Sequence, residues 1–344
     1  MAKHAKDRTL VLHIGLHKTA TTYVQNVLSS RRYDLLREGV LYPLAGSGLL
    51  ARGVDRPVIN TRDGAQSGHA LFTRPGDRQG SVAELLDELP DSVSTVLLSS
   101  EDFSLGRMTA KEYLARFSVF GTIKVVLVLR RQDLWIESFY KQVVDQYGNF
   151  ETRSFEEYLA QEGQRLLDFH ARFSPWRDLV GPDGFHVLSF DDLPGGGKVI
   201  CRRLMEIAGV DGPLLDEFTS VEVSRYESVR AIDTLGLRVL NSYRLEDRDL
   251  RVAAARSIYE AAPGGEIELL SPTVRQAIKE AYAPLNKRIE KEWFREPVPG
   301  FCFDTPVDAS TDSMPTAPDL LAYLDRVLDL CEAARRAALD EKAT

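Results

Sequence analysis

The sequence predicts an α/β protein: a doubly wound, mostly parallel sheet followed by a largely helical C-terminal part. Three observations carry that expectation. The apolar runs at 9–14, 94–100 and 124–129 are continuous rather than alternating, as in strands buried on both faces of a parallel sheet, and a late strand follows at 185–190. Stretches with helical spacing of apolar residues separate these runs, and strand–helix alternation is the signature of an open sheet wrapped by helices. Beyond residue 197 only helical periodicity remains.

Local signals order the elements. The first run, Thr9 to Ile14, stops at Gly15, and a helical pattern then continues to Ser30. Residues 44–80 are rich in Gly, Arg, Pro and Asp and read as a long substrate loop or lid, since long loops in compact domains usually carry function. A helix over 109–120 precedes the strand at 124–129. Asp133 is expected to cap a helix over 134–147. Helices over 154–162 and 164–178 lead to the strand at 185–190. Five C-terminal helices follow, over 197–209, 224–243, 247–261, 272–294 and 317–340. Ser271-Pro272 marks the start of the fourth, with serine as N-cap and proline at the first position. Leu320, Leu321, Leu324, Val327, Leu328 and Leu330 are expected to form a one-sided stripe on the last helix, packed on the core or on a partner. Residues 296–316 are turn-rich and Pro-rich, and the whole chain, 1–344, reads as a single domain whose part from 197 to 344 is mainly helical.

The chemistry concentrates at two strand ends. Gly15, His17, Lys18, Thr19, Ala20, Thr21 and Thr22 occupy the turn between the first strand and its helix. The first turn of a helix offers main-chain N–H groups and the positive end of the dipole, so it attracts oxyanions. Lys18 adds a point charge and the threonines add hydroxyl donors. An ATP-type loop needs glycine immediately before its lysine, whereas His17 stands there in this chain. The second site follows the strand at 124–129. Arg130 falls at its carboxyl end, and Ser138 lies about two turns along the next helix. Guanidinium grips phosphate through paired N–H bonds and a hydroxyl adds one more. Arg131 is expected at the surface. Two anion grips on neighbouring strands suit a nucleotide with both a 5′ and a 3′ anion, held a nucleoside's breadth apart.

These segments resemble a known family. Lys-Thr-Ala-Thr-Thr at 18–22 and LRRQDLWIESFYKQ at 129–142 look like the two nucleotide motifs of sulfotransferases that use 3′-phosphoadenosine 5′-phosphosulfate (PAPS), bacterial members above all. Leu36-x-x-Gly39-Val40-x-Tyr42-Pro43, and Ser271-Pro272 with Tyr282, Leu285 and Asn286, add to the likeness. The resemblance implies a P-loop-like sulfotransferase fold, PAPS as sulfuryl donor, 3′,5′-adenosine bisphosphate as product, and no required metal. It implies that Lys18 stabilises the leaving oxygen, that the turn holds the 5′-phosphosulfate, and that Arg130 and Ser138 hold the 3′-phosphate. The family usually has glycine where Ala20 stands, so the turn is expected to hold residue 20 at negative φ. The Arg-Lys-Gly loop that animal cytosolic members place over the 3′-phosphate is absent from this sequence. Ser-Ser-Glu after the strand at 94–100 resembles bacterial and glycan-directed members in which glutamate is the base, which makes Glu101 the favoured base and leaves Asp102 to cap the next segment. His69, in GAQSGHALF, is the reserve base, because imidazole titrates in the right range. His17 belongs to the turn, and His13 reads as a core or edge histidine.

Composition narrows the partners. The net charge of −8 argues against nucleic acid or a polyanionic acceptor. It leaves a small-molecule, lipid or glycan acceptor carrying a hydroxyl or amine. Cys201, Cys302 and Cys331 are too widely spaced for a zinc site or a disulfide framework, which points to a reducing cytoplasm. No apolar run reaches the length of a membrane span. The oligomeric state is left open. Two rival functions share these motifs: a P-loop nucleotide kinase with Glu101-Asp102 as magnesium-holding acids, and a catalytically inactive nucleotide-binding interaction module.

Overall fold

The structure, a computed structural model, describes residues 5–47, 68–73, 81–193, 195–219, 229–265, 267–295 and 314–343. Contacts gather the chain into two compact units. The first comprises Met1–Arg131, Asp168–Arg225 and Ala283–Asp304, and the second Gln132–Leu167, Tyr226–Tyr282 and Thr305–Thr344. Residue 197, from which the chain is mainly helical, falls inside the first unit.

The first unit is built on a five-stranded, all-parallel sheet. Its strands are β1 (Thr9–His13), β2 (Val40–Leu41), β3 (Thr95–Ser99), β4 (Thr122–Leu129) and β5 (Phe185–Ser189), in the order β2-β3-β1-β4-β5. β1 is central, with Leu12 opposite Leu98 of β3 on one side and Val125 of β4 on the other. From β1 the chain goes to the β2 edge, returns through β3 and crosses to β4. The carboxyl end of β1 is thus where the connections diverge, the place at which open α/β sheets bind ligands.

Helices cover both faces. Side-chain parity along a strand sends Val11, Leu97, Val126 and Val128 to one face. There they pack with Val24, Val27 and Leu28 of α1 (Thr21–Ser30), Leu35 of α2 (Arg32–Arg37), and Ile200, Leu204 and Met205 of the helix Gly197–Ala208. The opposite residues of β4 and β5 meet the helix Phe169–Gly184, which in turn packs on the helix Ala110–Arg116. Tyr113 and Trp176 stack between those two helices, with ring centroids 5.6 Å apart. The central strands are buried on both faces because neither face meets water, which is why their sequences are unbroken apolar runs.

The remaining helices in chain order are α3 (Val82–Asp87), α4 (Ala110–Arg116), α5 (Gln132–Asp145), α6 (Phe155–Leu167), α7 (Phe169–Gly184), α8 (Gly197–Ala208), α9 (Pro213–Thr219), α10 (Ala231–Ser242), α11 (Arg248–Ala261), α12 (Pro272–Trp293) and α13 (Ala317–Ala343). The second unit is helical. In it α10 packs on α5 and on α11, and α13 packs on both α10 and α11. Among the described residues, no helix is long and apolar enough to cross a membrane.

Several expectations are corrected. α5 begins at Gln132, so Asp133 lies inside the first turn, 1 % exposed, rather than capping it. Its carboxylate instead pairs with Arg275 at 2.9 Å. Arg131 is buried, not at the surface. The 154–178 region breaks at Asp168, whose side chain accepts from the Ala171 N–H and starts α7. α9 was not anticipated. The leucine stripe on α13 is split. Val327, Tyr323 and Cys331 are buried, while Leu321 and Leu328 are exposed. Residues 48–67, 74–80 and 296–313, which include most of the expected lid, the Pro-rich segment and Cys302, lie outside the described residues. Ser271 does cap α12, accepting from the Val274 N–H at 3.3 Å.

Candidate active site

The turn after β1 is held in an uncommon backbone conformation. Gly15, Lys18 and Ala20 have φ of 28°, 64° and 58°. Left-handed backbone costs a residue with a Cβ about 1–2 kcal/mol, so two such residues in one short turn amount to stored strain of the kind that gathers at functional sites. The negative φ expected at Ala20 is thereby overturned, because the turn demands left-handed geometry at the position where the resembling family has glycine. Gly15 is constrained by space as well as by φ. A Cβ there would come within 3.2 Å of His13 Nε2 and 3.3 Å of Thr21 Oγ1.

Two of the threonines hold the turn rather than face outward. Thr19 Oγ1 donates to the Leu16 carbonyl at 2.7 Å and Thr21 Oγ1 to the same carbonyl at 3.2 Å, and both residues are buried. Thr22 and Lys18 are half-buried. α1 starts with no side-chain cap and no acidic residue in its first turn, so its positive end keeps its field for an anion.

Arg130 is delivered by β4, the neighbour of β1. Its Nη1 donates to the Lys18 carbonyl oxygen at 3.2 Å, and its Nε lies 3.6 Å from Asp191 Oδ1. The guanidinium also sits 5.2 Å from the Phe190 ring centroid. The Arg131 main-chain N–H donates to the other Asp191 oxygen at 2.7 Å. Burial raises the Asp191 pKa, and that N–H and the two arginine charges partly offset the rise. The guanidinium therefore faces the lysine turn, but it touches the turn instead of standing a nucleoside's breadth away. Ser138 lies on α5 in the second unit, half-buried in the helix.

β3, the other neighbour of β1, delivers Glu101. Ser100, not Asp102, caps the short 3-10 helix Glu101–Leu105 that follows, accepting from the Asp102 N–H at 3.3 Å. Glu101 Oε2 accepts from Gln25 Nε2 of α1 at 3.0 Å. The His17 ring stands between two carboxylates, 4.0 Å from Glu101 Oε1 and 3.5 Å from Asp102 Oδ1. Arg107 approaches Asp102 from outside at 3.7 Å. The Glu101 side chain is 23 % exposed.

His69 is placed differently. It is fully buried, its Nε2 lies 3.0 Å from the Pro43 carbonyl, and its Nδ1 accepts from the Ser99 N–H at 3.0 Å. A carbonyl can only accept and an amide N–H can only donate, so the ring is the neutral Nε2–H tautomer with both nitrogens engaged. Burial pushes its pKa down to about 4. Such a ring is a strut that ties the end of β3 to the Pro43 segment, and it has no nitrogen left to act as a base. His13 is a core histidine, its Nδ1 2.9 Å from Ser99 Oγ.

Sequence reasoning missed Gln25, Asp191 and Phe190. Their signal was available in part: α1 carries Gln25, Asn26 and Ser29 as polar residues on a buried face, and a buried polar side chain needs a partner.

No family model matches this chain. A 148-residue stretch is 26% identical to an uncharacterized protein of Archaeoglobus fulgidus, covering 42% of this chain and 38% of that protein's length.

Proposed function

We propose that the chain is a sulfotransferase that moves a sulfuryl group from PAPS to a hydroxyl or amine of a small molecule, lipid or glycan. The observation that carries this reading is convergence. Three adjacent parallel strands, β3, β1 and β4, bring Glu101, the Lys18 turn and Arg130 to one edge of the sheet. A carboxylate and two cations around an uncapped helix start match the needs of sulfuryl transfer, in which positioning and charge do most of the work. The turn amides, Thr22 and Lys18 hold the 5′-phosphosulfate, and Arg130 holds the 3′-phosphate. To take that phosphate the guanidinium trades its contact with the Lys18 carbonyl for a charged acceptor. The acceptor oxygen or nitrogen then attacks sulfur in line, the S–O bond to the nucleotide phosphate breaks, and Lys18 neutralises the leaving oxygen. Glu101 removes the acceptor proton, oriented by Gln25. His69 takes no part in proton transfer.

The reading is tested by following release of 3′,5′-adenosine bisphosphate from PAPS across hydroxyl and amine acceptors. Glu101→Gln is expected to lower turnover at least about 100-fold, the scale of a general base, with nucleotide affinity unchanged. Equal turnover by Glu101→Gln would remove the base assignment. No acceptor-dependent release by the wild type would favour the inactive nucleotide-binding module.

A further inference from the structure

The residue before His69 carries a constraint of its own. His69 grips the end of β3 with its backbone as well as its ring: its main-chain N–H donates to the Ser99 carbonyl at 2.8 Å, and Nδ1 accepts from the Ser99 N–H at 3.0 Å. These bonds fix the place of Gly68, which is buried. The φ of Gly68 lies outside the left-handed region, so its backbone does not ask for glycine. The constraint is space. A Cβ at residue 68 would come within 2.5 Å of Gln25 Nε2, 2.6 Å of its Cδ and 2.8 Å of its Oε1, distances that non-bonded atoms do not hold.

The amide that lies against Gly68 is the one that meets Glu101. Gln25, on α1, is buried. Its Nε2 donates to Glu101 Oε2 at 3.0 Å and reaches the Ser99 carbonyl and hydroxyl oxygens through longer contacts of 3.5 Å. The other carboxylate oxygen of Glu101 stands 4.0 Å from His17 Nδ1, beyond hydrogen-bond reach. Among the described residues, the Gln25 amide is therefore the group hydrogen-bonded to that carboxylate, and it occupies the volume that a side chain at residue 68 would fill.

We propose that Gly68 is a positioning residue of this site, a role that rests on the sulfotransferase reading: its missing side chain makes room for the Gln25 amide, and that amide holds the Glu101 carboxylate in place to take the acceptor proton. His69 is the peg that keeps the glycine over the amide, which gives the buried imidazole a task although it moves no proton.

A double-mutant cycle tests the role. The Gln25 amide is the flexible end of the contact, so Gly68→Ala displaces the amide rather than the backbone, and circular dichroism verifies the fold. Its kcat is expected to fall roughly 10- to 100-fold, the scale of a small misplacement of a reacting group, with affinity for 3′,5′-adenosine bisphosphate unchanged. Gln25→Ala should lower kcat alike. In the double variant Gly68→Ala/Gln25→Ala the new methyl group enters vacated space, so it should be no slower than Gln25→Ala alone. A second readout needs no turnover. The Gln25 side-chain NH2 signal in proton–nitrogen NMR spectra, identified by its loss in Gln25→Ala, should move in Gly68→Ala as it does in Glu101→Ala. Losses that multiply in the double variant overturn the proposal. So does an unmoved signal, and so does a moved signal with kcat at the wild-type level. A wild type without acceptor-dependent release removes the sulfotransferase reading instead, and the amide signal still decides whether Gly68 keeps Gln25 on Glu101.

Discussion

At the scale of single residues, the turn after β1 explains why its composition is unusual. Ala20 holds φ of 58° without the glycine that would hold it at no steric cost, and a Cβ at Gly197 would come within 3.0 Å of its methyl group. Ala20→Gly is expected to stabilise the fold by about 1 kcal/mol, because relief of left-handed strain outweighs the extra freedom of the unfolded chain. Urea denaturation measures this, and a loss of stability would show that the methyl contact dominates. The buried histidines make a second prediction. His13 and His69 are both pushed down to about 4 by burial, below the ordinary 6.5. Between those values the unfolded chain binds protons that the folded chain refuses. Their contribution is complete above about pH 6.5 and declines as the pH falls toward 4, by roughly 3 kcal/mol for each ring. Denaturation midpoints from pH 7 to pH 4.5 should drop, and His13→Asn should flatten the decline. An unchanged slope in that variant would contradict the neutral-core reading. The sequence could not separate His69 from Glu101 as base, because both stand in polar stretches next to apolar runs. The difference lies in which main-chain groups they meet, the Pro43 carbonyl and Ser99 N–H for His69, and these are brought together only by the fold.

At the scale of elements, strands were legible, and caps and helix boundaries less so. Apolar runs located β1, β3 and β4, since burial on both faces leaves few polar positions, whereas β5 alternates in burial along Phe185–Ser189. Ser271-Pro272 starts α12 as its residue types require, while the reciprocal cap of Thr109 with Glu112 on α4 came to light only in the structure. β2 has only two residues, too few for periodicity to register. Asp133 reads as a cap from the sequence alone and becomes a buried ion-pair partner because Arg275, 142 positions away in the chain, comes beside it. The second unit depends on close approach at Gly236 of α10. A Cβ there would run into the Tyr323 hydroxyl and come within 2.6 Å of the Ile258 side chain. Gly236→Ala adds about 1 kcal/mol of helix propensity but overpacks the contact at a cost of about 1–3 kcal/mol. We expect a net loss of stability by chemical denaturation, and a gain would mean that α10, α11 and α13 yield easily at this point.

At the scale of the whole molecule, the strand order is the feature that turns separate motifs into a site. Glu101 and Arg130 lie 83 and 112 positions beyond Lys18 in sequence, yet β3-β1-β4 adjacency brings both to its turn. The motifs and their resemblance to PAPS-dependent enzymes named the residues. They could not say that Arg130 rests on the turn itself, because that follows from the β1–β4 pairing and from Asp191 after β5. The acceptor of the proposed reaction is illegible for a related reason: the sequence of a loop fixes no shape. The central claim is that the turn and Arg130 hold opposite ends of one nucleotide. Titration calorimetry with 3′,5′-adenosine bisphosphate and with 5′-AMP, on wild type and on Arg130→Ala, tests it most directly. The account predicts that the substitution weakens the bisphosphate by about 1.5–3 kcal/mol, as for a hydrogen bond to a charged group, and leaves 5′-AMP nearly unchanged. Equal losses for the two nucleotides, or no binding of the bisphosphate by the wild type at high micromolar concentration, would contradict it.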